Sequence, residues 1–439
     1  MRMKYLLNFL LVIFFTFPAS ATDIVMWHVF EGFLYEKFAE IVEDFNHQSG
    51  IYQIKLVNKG NYTKTFEKGL EAHAKGEGPH ILQVYEVATQ TMMLKPEAFR
   101  PVDDLMRAYF KKYEPAVYID AVRAFYSTGD GKMDSLPWNA STGILFYNKN
   151  VFARAGLDPE KPPKTWEEME RYGAKLVRAG YDGFVTAWPA AYHLEHLCMW
   201  HNLPFATHEN GFGGLKARLV FNGPFQTRHL QKLADWQREG IFAYKGRFNE
   251  EPERHFIQGK CGMLLQGANR LGLLKRMTSE PIGVGFMPFW PDVKGAPYNL
   301  NIGGSSFWAL SGFDDTIYRG IAQFFAYLSL PEVQSWWHQQ TGYLPITESA
   351  YYLAKKTGFY EKNPAAEIAV LEVMGNTPTP YTKGIRLGNY TVVREKIIDY
   401  LEKAFAGEMT PQEALDRAVR EGNELLAEFE KQQVNLSQK

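Results

Sequence analysis

Six short segments bring aromatic, hydroxyl-bearing or charged residues together, most of them beside glycine. They are Lys59-Gly60-Asn61-Tyr62, Val84-Tyr85-Glu86-Val87, Asn139-Ala140-Ser141, Gly303-Gly304-Ser305, Thr341-Gly342-Tyr343-Leu344-Pro345 and Gly388-Asn389-Tyr390. Singly, each reads as turn chemistry. Together they supply backbone amides, hydroxyls and ring faces, the equipment of a site for a small polar ligand. Glycine lets backbone N–H groups approach an anion directly. Arg394, just beyond the last segment, can add a planar fork that matches phosphate or carboxylate. Trp166 and Trp188 are candidates to pack on a ligand's carbon skeleton, although Trp188 reads better as a core aromatic.

Catalytic patterns are missing where they would be expected. No G-x-S-x-G occurs, and Ser141, Ser305 and Ser306 have no readable histidine partner. His193, Glu195, His196, Cys198 and His201 share one window, but H-x-E-H matches neither H-E-x-x-H nor H-x-x-E-H. A surface or interface helix explains them better than a zinc site. No Walker pattern is present, and Gly283-Val284-Gly285 does not continue into G-x-G-x-x-G. Binding without a cofactor or metal is therefore expected, with a secreted hydrolase as the weaker alternative.

The elements that must position these residues show a repeated order. Asp23–Trp27 reads as a strand and Glu31–Phe45 as a helix, because Phe33, Leu34, Phe38, Ile41, Val42 and Phe45 recur at helical spacing. Tyr52–Val57 alternates as a strand and Asn61–Ala74 resumes the helical period. The pattern restarts after about residue 140, with strands at Gly143–Tyr147 and Tyr181–Ala187 around a helix at Thr165–Ala179. This predicts an α/β fold of two interleaved lobes with a hinge. The expected division is residues 22–135 plus about 282–335 in lobe 1, and 136–281 plus about 336–439 in lobe 2. Strands at Ile282–Met287 and Ser306–Leu310 are expected to rejoin lobe 1.

Arg2 and Lys4, the apolar run Tyr5–Phe17 and Pro18-Ala19-Ser20-Ala21 read as a signal peptide at residues 1–21, cut after Ala21. That predicts a soluble periplasmic protein. The run is shorter than the ~20 residues needed to span a bilayer. Loss of the leader takes the net charge from −1 to −3, so a general nucleic-acid-binding surface is not expected. Cys198 and Cys261 can be paired or free.

Ordered stretches across nearly the whole mature chain resemble the phosphoglycerol-binding members of the extracellular solute-binding protein family that serve Ugp-type ABC importers. They are KGNY (59–62), ILQVYEV (81–87), GLDPEKPPKTW (156–166), NLPFA (202–206), TGYLPIT (341–347), GFYEKNP (358–364) and TKGIRLGN (382–389). The resemblance implies the two-lobed periplasmic-binding-protein fold, in a monomer that binds glycerol 3-phosphate or a glycerophosphodiester and delivers it to membrane permease subunits. An oligosaccharide is the alternative cargo within the same fold. It also implies ligand contacts at Tyr62, Glu86, Ser141, Gly304, Tyr343 and Arg394, with an apolar wall at Trp166. Ser141, Tyr343, Arg394 and the Gly304 amide would donate to phosphate, and Glu86 would accept from glycerol hydroxyls. At Gly267 the family has a serine contact, so a hydroxyl is missing there unless Gln266 or Asn269 replaces it.

Overall fold

The computed structural model describes residues 21–437; the expected signal peptide lies almost wholly outside the described residues. Among the described residues ten strands form two sheets: β1 (Thr22–His28), β2 (Tyr52–Asn58), β3 (Ile81–Tyr85), β4 (Phe99–Arg100), β5 (Leu136–Ser141), β6 (Gly143–Asn148), β7 (Asp182–Thr186), β8 (Cys261–Gly267), β9 (Ile282–Gly285) and β10 (Gly303–Leu310). The first sheet runs β2-β1-β3-β10-β4, with β5 also paired to β10, and the second runs β7-β8-β6-β9. Helices cover the sheets, as the alternating strand and helix periods require.

Local chemistry explains the early elements. In the helix Gly32–Ser49, Phe38, Ile41, Val42 and Phe45 are buried, and Gly50 ends the helix at φ 65°. Asn61 and Thr165 accept from backbone N–H groups at the starts of the helices Tyr62–Ala74 and Trp166–Arg178. β1 buries alternate residues against the core, whereas β6 and β8 are buried on both faces.

The chain passes from the first sheet to the second at Thr142, between β5 and β6. There Ser141 pairs with Gly303 of β10 and Gly143 pairs with Gly267 of β8. Two of the six segments, residues 139–141 and 303–305, thus meet where the two sheets join.

Three expected placements differ. Residues 136–141 open lobe 2 in the expected division, but β5 pairs with β10 in the first sheet. Ile282–Gly285 pairs with β6 and belongs to the second sheet, not the first. Only glycine fits there: a Cβ on Gly283 would lie 2.0 Å from the Tyr147 ring. The segment after residue 336 was expected in lobe 2, yet Trp337 packs 5.2 Å from Trp138 and 6.1 Å from Phe38. Tyr343, Leu344, Tyr351 and Tyr360 join the same cluster as Phe30 and Phe38. The helix Pro364–Met374 already packs against β6 and β9 of the second sheet, as expected, and from Ile385 onward the chain enters the second cluster with Leu145, Phe184 and Trp236. Helical periodicity says which face is apolar but not which core receives it.

Candidate functional site

A cavity of about 650 Å³ opens where the sheets meet, and Tyr62, Glu86, Ser141, Gly267, Gly304, Tyr343 and Arg394 all line it. Residues as far apart in sequence as Tyr62 and Arg394 are brought to one wall-to-wall space. Among the described residues no group of His, Cys, Asp or Glu is placed to hold a metal ion.

Glu86 follows β3 and sits at the centre of the polar wall. Its carboxylate accepts from the Gly304 N–H at 3.1 Å and from Arg394 Nη1 at 3.3 Å. Gly304 has φ +118°, and a Cβ there would lie 1.6 Å from the Asn139 carbonyl oxygen. No other residue fits that backbone. Its amide is engaged by Glu86 here, so the expected direct donation to phosphate requires Glu86 to give way.

Arg394 is more constrained than an isolated anion-binding arginine. From the helix Tyr390–Phe405 its Nε and Nη2 donate to the two oxygens of Glu195 at 2.7 and 2.6 Å, and Tyr390 Oη donates to the same carboxylate at 2.7 Å. Burial alone would lower the guanidinium pKa, but Glu195, Tyr390 and Glu86 outweigh it and raise it well above the usual value. The arginine stays charged and is held in one orientation, with Nη1 turned toward Glu86.

Tyr62 begins its helix and stacks on Tyr85, with ring centroids 5.4 Å apart and 17° between planes. Burial, then Tyr343 and Glu86, raise its pKa above the tyrosine range, and Tyr343 is raised chiefly by burial. Both are neutral phenols that can donate. Tyr85 Oη also meets Thr391 Oγ1 at 2.9 Å, a second contact between β3 and the arginine helix.

At Gly267 the space beside the backbone is taken by Asn269. A Cβ there would lie 2.6 Å from Asn269 Oδ1, so the Asn269 amide stands where a serine side chain would project. Ser141 Oγ meets that same Oδ1 at 3.3 Å. Gln266 is fully occupied: it accepts from Tyr192 Oη and the Gly267 N–H, and donates to Asn249 and Glu253.

Trp166 does not line the cavity. It is buried in the second core, 4.6 Å from His229 and 6.2 Å from Trp236, because the helix it opens packs its apolar stripe inward. Trp188 reverses the expectation of a core role and lines the cavity with Phe248.

The histidine window is no surface helix: His193, Glu195 and His196 are buried. His193 stacks on His229 at 5.5 Å, and burial lowers its pKa to about 3 and that of His196 to about 4. Glu195, passed over as part of that window, is the residue that fixes Arg394. Its only sequence signal was a carboxylate at helical spacing from buried aromatics. Cys198 and Cys261 are both free and buried, and burial raises both thiols.

Several cavity atoms have no partner within the protein. His196 Nδ1, Thr142 Oγ1 and Asn301 Oδ1 are buried and unpaired. Buried polar groups are seldom left so, and here all three belong to residues of the ligand cavity.

Residues 40–368 match the family model described as bacterial extracellular solute-binding protein. The chain is 43% identical over 413 residues to the sn-glycerol-3-phosphate-binding periplasmic protein UgpB of Pectobacterium atrosepticum, covering 94% of this chain and 93% of that protein. It is 41% identical over 420 residues to the protein of the same name from Yersinia pseudotuberculosis, covering 94% and 95%. Among solved structures it resembles the cyclic alpha-maltosyl-1,6-maltose binding protein of Arthrobacter globiformis, with TM-score 0.76, 22% identity and 93% and 99% coverage. UgpB of Mycobacterium tuberculosis in complex with glycerophosphocholine gives TM-score 0.76 at 18% identity, covering 94% and 100%. At these identities the structures speak to the fold, the two-lobed architecture of binding proteins. The chain belongs to the bacterial extracellular solute-binding proteins, in the group of the periplasmic sn-glycerol-3-phosphate-binding relatives.

Proposed function

We propose that this protein captures a glycerophosphate group in the periplasm, as glycerol 3-phosphate or a glycerophosphodiester, and delivers it to the permease subunits of an ABC importer. The observation that carries this reading is the shared cavity: residues from both halves of the chain converge on it in a protein 43% identical to a glycerol-3-phosphate-binding relative. Its role is binding and delivery, not bond breaking.

The geometry supports an exchange of partners. Glu86 occupies the Gly304 amide and one nitrogen of Arg394. A phosphate oxygen entering between them takes over those donors, joined by the neutral hydroxyls of Tyr62 and Tyr343 and by Ser141. Glu86, released, accepts from glycerol hydroxyls. Because these groups come from the first sheet and its neighbours on one side and from the arginine helix of the second core on the other, ligand contacts stabilise the closed form selectively. Charge-assisted contacts of this kind each contribute about 1.5–3 kcal/mol.

Calorimetry with glycerol 3-phosphate tests the reading. Tyr62→Phe is expected to weaken binding about tenfold, as one hydrogen bond to a charged oxygen is lost, and Arg394→Met at least a hundredfold. A melting temperature raised by maltose and not by glycerol 3-phosphate would replace this cargo with a sugar.

A further inference from the structure

We propose that Asn269 donates directly to the ligand's phosphate, as the contact that the second sheet supplies to this wall of the cleft, and that the glycine at 267 gives its amide room. The proposal rests on the glycerophosphate reading above and adds to it a specificity-determining residue.

Asn269 lies just beyond β8, in the short turn Ala268–Arg270, and lines the cavity together with Ser141, Gly267 and Tyr343. Among the phosphate donors named above, only Arg394 stands on an element of the second core. Asn269 follows a strand of the second sheet. A contact from it adds a second point at which the ligand draws the two halves together.

The space around residue 267 admits one polar group and not two. A Cβ on Gly267 would lie 2.6 Å from Asn269 Oδ1 and 3.4 Å from Ser141 Oγ. Any side chain at 267 therefore claims the volume that the amide now fills. Glycine and asparagine at these two positions act as one unit, in which the polar group comes from residue 269.

The partners of that amide leave a donor for the ligand. Ser141 Oγ donates to Asn269 Oδ1 at 3.3 Å and accepts from the Asn269 backbone N–H at 3.4 Å. With the carbonyl arm engaged, the nitrogen is the arm that hydrogen-bonds the Tyr343 hydroxyl. It carries two hydrogens, so Tyr343 takes one and the second is available to a phosphate oxygen. Tyr343, accepting from the amide, keeps its own proton for the ligand. Neighbouring Gln266 cannot serve in the same way, because its amide hydrogens go to Asn249 and Glu253.

The turn is also fixed on both sides of Asn269. The Ala268 N–H donates to the Thr142 carbonyl at 2.9 Å, and Arg270 makes two 2.7 Å contacts with buried Glu253. A donor held in this way loses little freedom when a ligand arrives.

Calorimetry with glycerol 3-phosphate on the full-length mature protein tests this. Asn269→Ala is expected to weaken binding about tenfold, as one hydrogen bond to a charged oxygen is lost. Asn269→Asp keeps an acceptor for Ser141 but puts a negative oxygen in place of the donor, so it is expected to weaken binding about a hundredfold or more. Gly267→Ser alone is expected to weaken binding by displacing the amide. Combined with Asn269→Ala it is expected to return affinity to within about threefold of native, because a hydroxyl then occupies the vacated space. Native affinity in Asn269→Ala would overturn the proposal. Tighter binding by Asn269→Asp than by Asn269→Ala would overturn it as well, by showing that the residue acts only as an acceptor that holds Ser141. A double variant no better than Gly267→Ser would overturn the exchange between the two positions. Absence of binding by the native protein would overturn the glycerophosphate reading itself, whereas native binding with unaffected variants overturns only this proposal. The comparison of Ala with Asp at 269 decides even where Gly267→Ser fails to fold.

Discussion

The two halves of the molecule are tied together by an arginine at two places, and the two arginines are used in opposite ways. In the cleft, Arg394 meets side chains: Glu195 on its own side and Glu86 beyond β3. Away from the cleft, Arg386 meets backbone. Its Nη2 donates to the carbonyls of Phe125 and Ser127, which close the helix Asp120–Tyr126 of the first core. Its own N–H donates at 2.9 Å to the carbonyl of Asn210, whose side chain caps Phe205 and Ala206 of the second core. Side-chain contacts can be exchanged for a ligand, whereas helix-end carbonyls in a buried place have no other donor to turn to. The first crossing is thus suited to recognition and the second to holding the pivot.

The largest way to break this comparison is at Arg394. Removing it strands Glu195 in the interior, and breaking a buried pair from one side costs about 3–5 kcal/mol. Arg394→Met should therefore lose stability as well as ligand. Adding Glu195→Gln should restore most of the stability in denaturant melts while binding stays lost. A double variant no more stable than the single one would show that the pair is not the source of the loss.

Arg386→Met is the complementary change. Loss of charge-assisted hydrogen bonds to two or three carbonyls, partly offset by relief of a buried charge, should cost about 3 kcal/mol. Ligand affinity of the folded fraction should change by less than the hundredfold expected at Arg394. Lost affinity with unchanged unfolding would invert the two assignments.

Acid and base should separate the two regions more finely. His196, in the cleft, is held by burial at about 4, so the unfolded chain binds its proton first. Its contribution to stability is present above about pH 6.5 and is lost as pH falls toward 4, at about 1.4 kcal/mol per pH unit. Asp134 lies near Arg386 and is raised to about 6 by burial. Its sign is opposite: its contribution is present below about pH 4 and is lost as pH rises toward 6. Plotting unfolding free energy against pH, His196→Gln should flatten the acid-side fall and Asp134→Asn should raise the plateau at neutral pH. Parallel curves for wild type and variants would remove both groups from the account.

Two tryptophans show how far the sequence could be read. Trp166 and Trp188 both follow loops and precede helical segments, and the wrong one was favoured for the cavity. A helix stripe tells that Trp166 is apolar-facing, but not that the facing surface is a core built from His229 and Trp236. Trp188 reaches the cavity because a left-handed backbone turns it there, and no local pattern announces that conformation in a non-glycine residue. Glu195 was hidden for a similar reason: its meaning lies in a partner 199 residues away. Strand β9 illustrates the same limit, since its alternation fits either sheet and the space beside Tyr147 chose one.

The family resemblance pointed to some of the residues that line the cavity, Tyr62 and Arg394 among them, and the sequence by itself determined the type of elements such as the helix at Gly32–Ser49 and the return strand at Gly303–Leu310. These follow from short-range physics: periodicity, capping and the conformational freedom of glycine act within a few residues. Only the tertiary structure decided which charge meets which. Arg394 turned out to be held by Glu195, the Gly304 amide by Glu86, and the place of the missing serine at Gly267 by Asn269. Such pairings depend on how buried surfaces are brought together from distant parts of the chain, and no local spacing encodes them.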